Sequence, residues 1–162
     1  MAKPFYDLET YGAKNSIGCK IRQLNNLMVP RAEARFTDQE LTFSHWLTLM
    51  ALRDGIVDTC AGLSRHMNYD SGAITRLVDQ LEERGLVERT RSKSDRRVVK
   101  LSLTKEGHAI WKKLTPPIVD YWNDVMDGFS PAESEMLVDL LSRLLVRMEE
   151  LPVNAPVKTK AA

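Results

Sequence analysis

Ile74, Leu77, Val78 and Leu81 recur at i, i+3, i+4 and i+7, so they share one face of a helix. The opposite face carries Gly72, Thr75, Arg76 and Asp79, all small or polar. A helix built this way rests on a core and turns a narrow polar surface outward. Asp70 is its expected N-cap, and Gly85 stands where a helix ends in the left-handed region. Just upstream, Cys60, Leu63 and Met67 form the inner face of a shorter helix capped by Asp58 or Thr59, and Asn68-Tyr69 leaves room only for a turn.

The chain then changes period. Strand residues begin at Leu86, Val87 and Glu88, and Val98 to Leu103 alternates as a half-buried return strand. Between them, Arg89 to Arg97 reads RTRSKSDRR, five basic side chains against one acidic, a local charge of +4 in a chain whose net charge is +1. Positive charge gathered in one hairpin beside an exposed helix face suits a phosphate backbone. The stretch 58–104 therefore reads as a winged helix-turn-helix that binds double-stranded DNA.

The rest of the chain is mainly α. Ile17, Ile21, Leu24 and Met28 make a helical stripe that Leu27 widens, with Pro30 expected to end or interrupt it. Thr42 to Asp54, closed by Gly55, is a second helix, apolar on most sides through Phe43, Trp46, Leu47, Met50 and Ala51. After the hairpin Thr104 caps a long helical segment that Pro116-Pro117 should kink or break. Gly128 stops that segment, and Ser130-Pro131-Ala132-Glu133 opens the last helix as a capping box with proline in the first turn. Its apolar side includes Leu137, Leu140, Leu141, Leu144 and Met148. The expected organisation is a flexible arm over 1–15, dimerisation helices over 16–36 and 105–150, the winged domain over 37–104, and a disordered tail over 151–162. Apolar helices at both ends of a small winged module call for a homodimer, in which the terminal helices pack on each other and on those of a second copy. Two recognition helices would then read a pseudo-palindromic operator.

The segments DSGAITRLVDQLEERGLVER (Asp70 to Arg89), SDRR (Ser94 to Arg97) and LSLTKEG (Leu101 to Gly107) resemble the MarR family of bacterial transcription regulators. The resemblance covers roughly Ser16 to Met148. It implies a dimeric regulator, usually a repressor, released from DNA by an aromatic acid or another small-molecule effector. It also implies that Ser71, Gly72, Thr75 and Arg76 meet the major groove, with Arg76 suited to the O6 and N7 of guanine. Ser71 and Gly72 would offer backbone N–H groups to a phosphate. Asp95 and Arg97 match an Asp-x-Arg element whose arginine enters the minor groove and whose aspartate orients it, with Lys93 and Arg96 on phosphates. Arg22, His45 and Trp46 are candidates for the effector cleft.

Two alternatives stand beside this reading. Cys19 falls about where the hydroperoxide-sensing branch of the family keeps its reactive thiol, which would make the protein an oxidant-sensing repressor; the tyrosines that serve that thiol have no evident counterparts. A winged fold used only to dock a protein partner is the other, and it has no use for arginines at a loop tip. Cys60 reads as core. His45, His66 and His108 lack ligand spacing, so neither metal nor other cofactor is expected. Nothing in the chain resembles an active site, no segment is long and apolar enough to span a bilayer, and the expected location is the cytoplasm.

Overall fold

The computed structural model describes residues 4–36 and 40–152. The expected tail from residue 153 onward lies outside the described residues, as do positions 1–3 of the expected arm and 37–39 at the expected start of the winged domain. The architecture is mainly α with one two-stranded antiparallel hairpin, the winged-helix plan. The chain divides into two units, one ending at Tyr121 and the other beginning at Trp122.

In the first unit, residues 4–15 turn back on the start of α1 (Ile17–Glu33). The Tyr6 hydroxyl donates to the Asn15 carbonyl and accepts from the Ile17 N–H, and the Tyr11 hydroxyl bonds the N-cap Ser16. Pro30 does not end α1. The helix carries it internally and closes three residues later in a 3₁₀ turn, Ala34–Phe36, which sets Phe36 against Phe43 and Trp46. Helix α2 (Phe43–Arg53) is the central strut: Leu49 is fully buried, and Phe43, Trp46 and Ala51 are buried beside it.

Helix α3 (Cys60–Met67) is capped by Thr59, and Asn68 takes the left-handed conformation (φ 53°) at its C-cap. Asp58 is spared for other work: its carbonyl accepts from Leu101 N–H and its carboxylate pairs with Lys100. Helix α4 (Ser71–Glu83) begins at the N-cap Asp70 and buries Ile74, Leu77, Val78 and Leu81, the four residues of the periodic face. Gly85 (φ 68°) turns the chain into β1 (Val87–Arg91), which pairs with β2 (Val99–Leu103) from Val87↔Leu103 to Arg91↔Val99. The basic run is thus not all loop. Arg89, Thr90 and Arg91 belong to the strand, because the register continues past the last alternating apolar residue.

Helix α5 (Lys105–Leu114) docks on the turn before β1. Thr104 donates through its hydroxyl to Gly85 O and through its N–H to Leu86 O. A Cβ at Gly107 would lie 2.0 Å from Leu86 O, so only glycine admits this approach. The helical segment breaks at Thr115, and Pro116 opens α6 (Pro116–Val125). The break follows from the missing N–H groups and fixed φ of the two prolines.

In the second unit Gly128 (φ 88°) precedes α7 (Pro131–Glu150), which starts with the Ser130/Glu133 capping box. None of the residues of α7 is buried within the chain. No helix of the described residues is long and apolar enough to cross a membrane.

Candidate nucleic-acid interface

Three elements frame the candidate surface: the α3–α4 turn, the outer face of α4, and the tip of the hairpin. The turn is cross-tied. Ser64 Oγ donates to Tyr69 O at 2.7 Å, and the Tyr69 hydroxyl bonds Ser44 Oγ at 2.9 Å, so α2 helps to fix where α4 begins. Asp70 Oδ1 accepts the Ala73 N–H at 2.9 Å, which leaves the N–H groups of Ser71 and Gly72 open at the positive end of the helix.

Ser71, Gly72, Thr75 and Arg76 are all exposed on α4. Thr75 donates its hydroxyl proton to Ser71 O at 2.8 Å, so its methyl is the group it presents outward. Beside Gly72 lies the Arg76 guanidinium, 3.8 Å from where a Cβ would be. A side chain at 72 would press on the cap, its Cβ 3.2 Å from Asp70 Oδ1.

The hairpin tip is folded around Ser92, which is buried. Ser92 N–H donates to Val98 O, and Ser92 Oγ bonds Ser94 Oγ and accepts from the N–H groups of Ser94 and Asp95. Asp95 Oδ1 accepts the backbone N–H of Arg97 at 2.9 Å. The aspartate therefore shapes the loop that displays Arg97 and holds its main chain. Arg91, Lys93, Arg96 and Arg97 are exposed. Together with Arg76 they make no ion pair among the described residues.

Arg89 stands apart from them. Its Nη2 donates to Asp79 Oδ1 at 2.7 Å and its Nη1 to Glu82 Oε2. Partial burial works against its charge, but the hydrogen bonds and charges of Asp79 and Glu82 prevail and raise its pKa. With Arg89 neutralised, the tip keeps four cations against Asp95, a local charge of +3. Reading the sequence alone placed Arg89 with the free cations and missed its partners. The signal available was the pair of acidic residues at i and i+3 near the end of a helix that has no basic residue in its last turn.

The effector candidates are not gathered into one polar cavity. Arg22 is exposed on α1. His45 is buried and committed at both ring nitrogens. Nδ1 accepts the Thr42 N–H at 3.0 Å to complete a capping box, and Nε2 bonds Gln80 Oε1 of α4 at 2.9 Å. Burial lowers its pKa, which Gln80 opposes and the Arg84 charge reinforces. Trp46 is buried too, with Nε1 donating to Thr115 Oγ1 at 3.1 Å. Cys19 is half-buried in the first turn of α1, and its N–H donates to the cap Ser16. Among the described residues no cluster of His, Cys, Asp and Glu could hold a metal ion.

Residues 41–99 match the model of the MarR family. Among solved structures, the reduced form of MarR from E. coli is 25% identical with a TM-score of 0.64, covering 80% of this chain and 96% of that one. The transcriptional regulator BldR from Sulfolobus solfataricus is 23% identical with a TM-score of 0.71, covering 83% and 95%. BpsR from Bordetella bronchiseptica, whose DNA binding is regulated by 6-hydroxynicotinic acid, is 23% identical with a TM-score of 0.66, covering 88% and 99%.

Proposed function

The chain carries a MarR-family domain, and from that premise we propose that it works as a dimeric, sequence-specific DNA-binding repressor released by a small aromatic acid. The observation that carries the reading is the unequal treatment of cations in one hairpin. Arg89 and Lys100, nearer the body of the domain, are paired with carboxylates. Arg91, Lys93, Arg96 and Arg97, at the tip, are exposed and unpaired among the described residues. Uncompensated arginines held close together repel one another, and polyanionic phosphate relieves that repulsion.

In this reading Arg76 takes a guanine through its fork of donors, and the Thr75 methyl meets a thymine methyl. Ser71 and Gly72 N–H groups bind a phosphate, Lys93 and Arg96 bind others, and Arg97 enters the minor groove from the loop that Asp95 shapes. A second copy covers the apolar faces of α1 and α7, which the chain leaves open at Ile21, Leu24, Leu137 and Leu141. For the effector we retain Arg22, His45 and Trp46, a cation, an imidazole and an indole suited to an aromatic carboxylate. An effector reaching His45 or Trp46 has to exchange their bonds to Gln80 and Thr115. BpsR supports this part by analogy, since a pyridine carboxylate controls its DNA binding.

The test is selection of binding sites from a random duplex library, followed by two variants. The wild type should enrich a pseudo-palindrome with half-sites about 10 base pairs apart. Arg76→Ala should lose discrimination at one position of each half-site, worth roughly 1–3 kcal/mol. Arg97→Ala should weaken binding to all sequences evenly. A wild type that enriches nothing contradicts the proposal.

A further inference from the structure

Helix α4 breaks an electrostatic rule at its C-terminal end. Asp79, Glu82 and Glu83 crowd the last two turns with no basic residue in the last, and the C-cap Arg84 is paired with Glu40, so their carboxylates lie toward the negative end of the helix dipole. On a surface meant for phosphates this is doubly unfavourable, unless something else holds those groups. Arg89 does. Its guanidinium reaches from β1 and engages Asp79 at 2.7 Å and Glu82 with separate nitrogens. Its side chain is 25% exposed, against 47% for Asp79 and 40% for Glu82, so the arginine is the most covered of the three. Among the described residues these are the only ion pairs between α4 and the hairpin. The planar fork makes the link directional in a way a lysine could not.

We propose that Arg89 is a positioning residue for DNA binding: it locks the wing strand to the C-terminal half of α4 and so fixes the separation between Arg76 and Arg97. This inference rests on the DNA-binding reading above. Touching no DNA itself, the clamp sets whether both arginines can occupy adjacent grooves of one duplex at once. Two contacts that must be made together are favoured when their spacing is held beforehand, and ordering a loose wing at the moment of binding costs affinity.

The decisive variant is Asp79→Asn with Glu82→Gln, which preserves shape and removes two negative charges from the DNA-facing side. Electrostatics alone says that it binds every DNA more tightly. The clamp says the opposite for the cognate site. Affinity for the duplex that the wild type enriches from a random library should fall about tenfold or more, as expected for uncoupling interacting groups. Affinity for a random-sequence duplex of equal length should hold or rise, so the ratio of the two collapses. Adding Arg89→Gln to the double variant should then cost little more. Should Arg89→Gln fail to fold by thermal unfolding, the isosteric double variant decides alone. A double variant that keeps the wild-type ratio, or binds the enriched duplex more tightly, overturns the clamp and leaves DNA binding intact. A wild type that enriches no duplex removes both.

Discussion

Gly107 and His45 are single residues whose roles are fixed by what touches them. At Gly107 the obstacle to any side chain is a backbone carbonyl, Leu86 O, which cannot rotate away. Gly107→Ala should therefore push α5 off the turn before β1 and destabilise the domain by roughly 1–3 kcal/mol or more. Chemical denaturation measures this, and an unchanged midpoint would mean that the approach is looser than described. His45 must be neutral to accept the Thr42 N–H at Nδ1. Its folded pKa is lowered, so the unfolded chain takes up its proton first as the solution is acidified. The histidine's contribution to stability is present above the unfolded value of about 6.5 and is lost as pH falls from there through the folded value. The gap in unfolding midpoint between wild type and His45→Gln should accordingly narrow as pH falls below about 6.5. A gap independent of pH would contradict the lowered pKa of the buried imidazole.

At the scale of elements, the sequence was readable wherever period and punctuation agreed. The face of α4, its cap Asp70, the stop at Gly85, the break at Pro116 and the capping box of α7 could all be placed because each is decided within a few residues. Boundaries decided by partners could not. Pro30 stays inside α1, where the residues that follow close the helix as a 3₁₀ turn and bury Phe36. The strand ladder continues to Arg91 because Val99 is there to pair with it, which no property of the basic run announces. The same division runs through the candidate site. Exposure of Arg76 and of the tip cations follows from local pattern, whereas the commitment of Arg89 to Asp79 and Glu82, and of His45 to Gln80, depends on contacts across elements.

For the whole molecule, the conspicuous fact is a twenty-residue helix, α7, with apolar side chains and nothing buried within the chain. Leu137, Leu141 and Leu145 are 41%, 43% and 63% exposed, an apolar face of the kind that marks an interaction surface. A dimer of the chain is expected in sedimentation velocity at micromolar concentration. Leu137→Glu with Leu141→Glu should shift it to monomer and weaken operator binding, since two half-sites are then no longer bound as a unit. A variant that still sediments as a dimer would place the interface elsewhere.

The central claim is that the unpaired cations of the hairpin tip and of α4 bind a phosphate backbone. Fluorescence anisotropy with the enriched duplex over a range of salt concentrations tests it most directly. Each phosphate neutralised should contribute about −0.9 to the slope of log affinity against log salt, so the wild type should show a steep negative slope and keep its complex in excess random duplex. Affinity that does not change with salt would contradict the account.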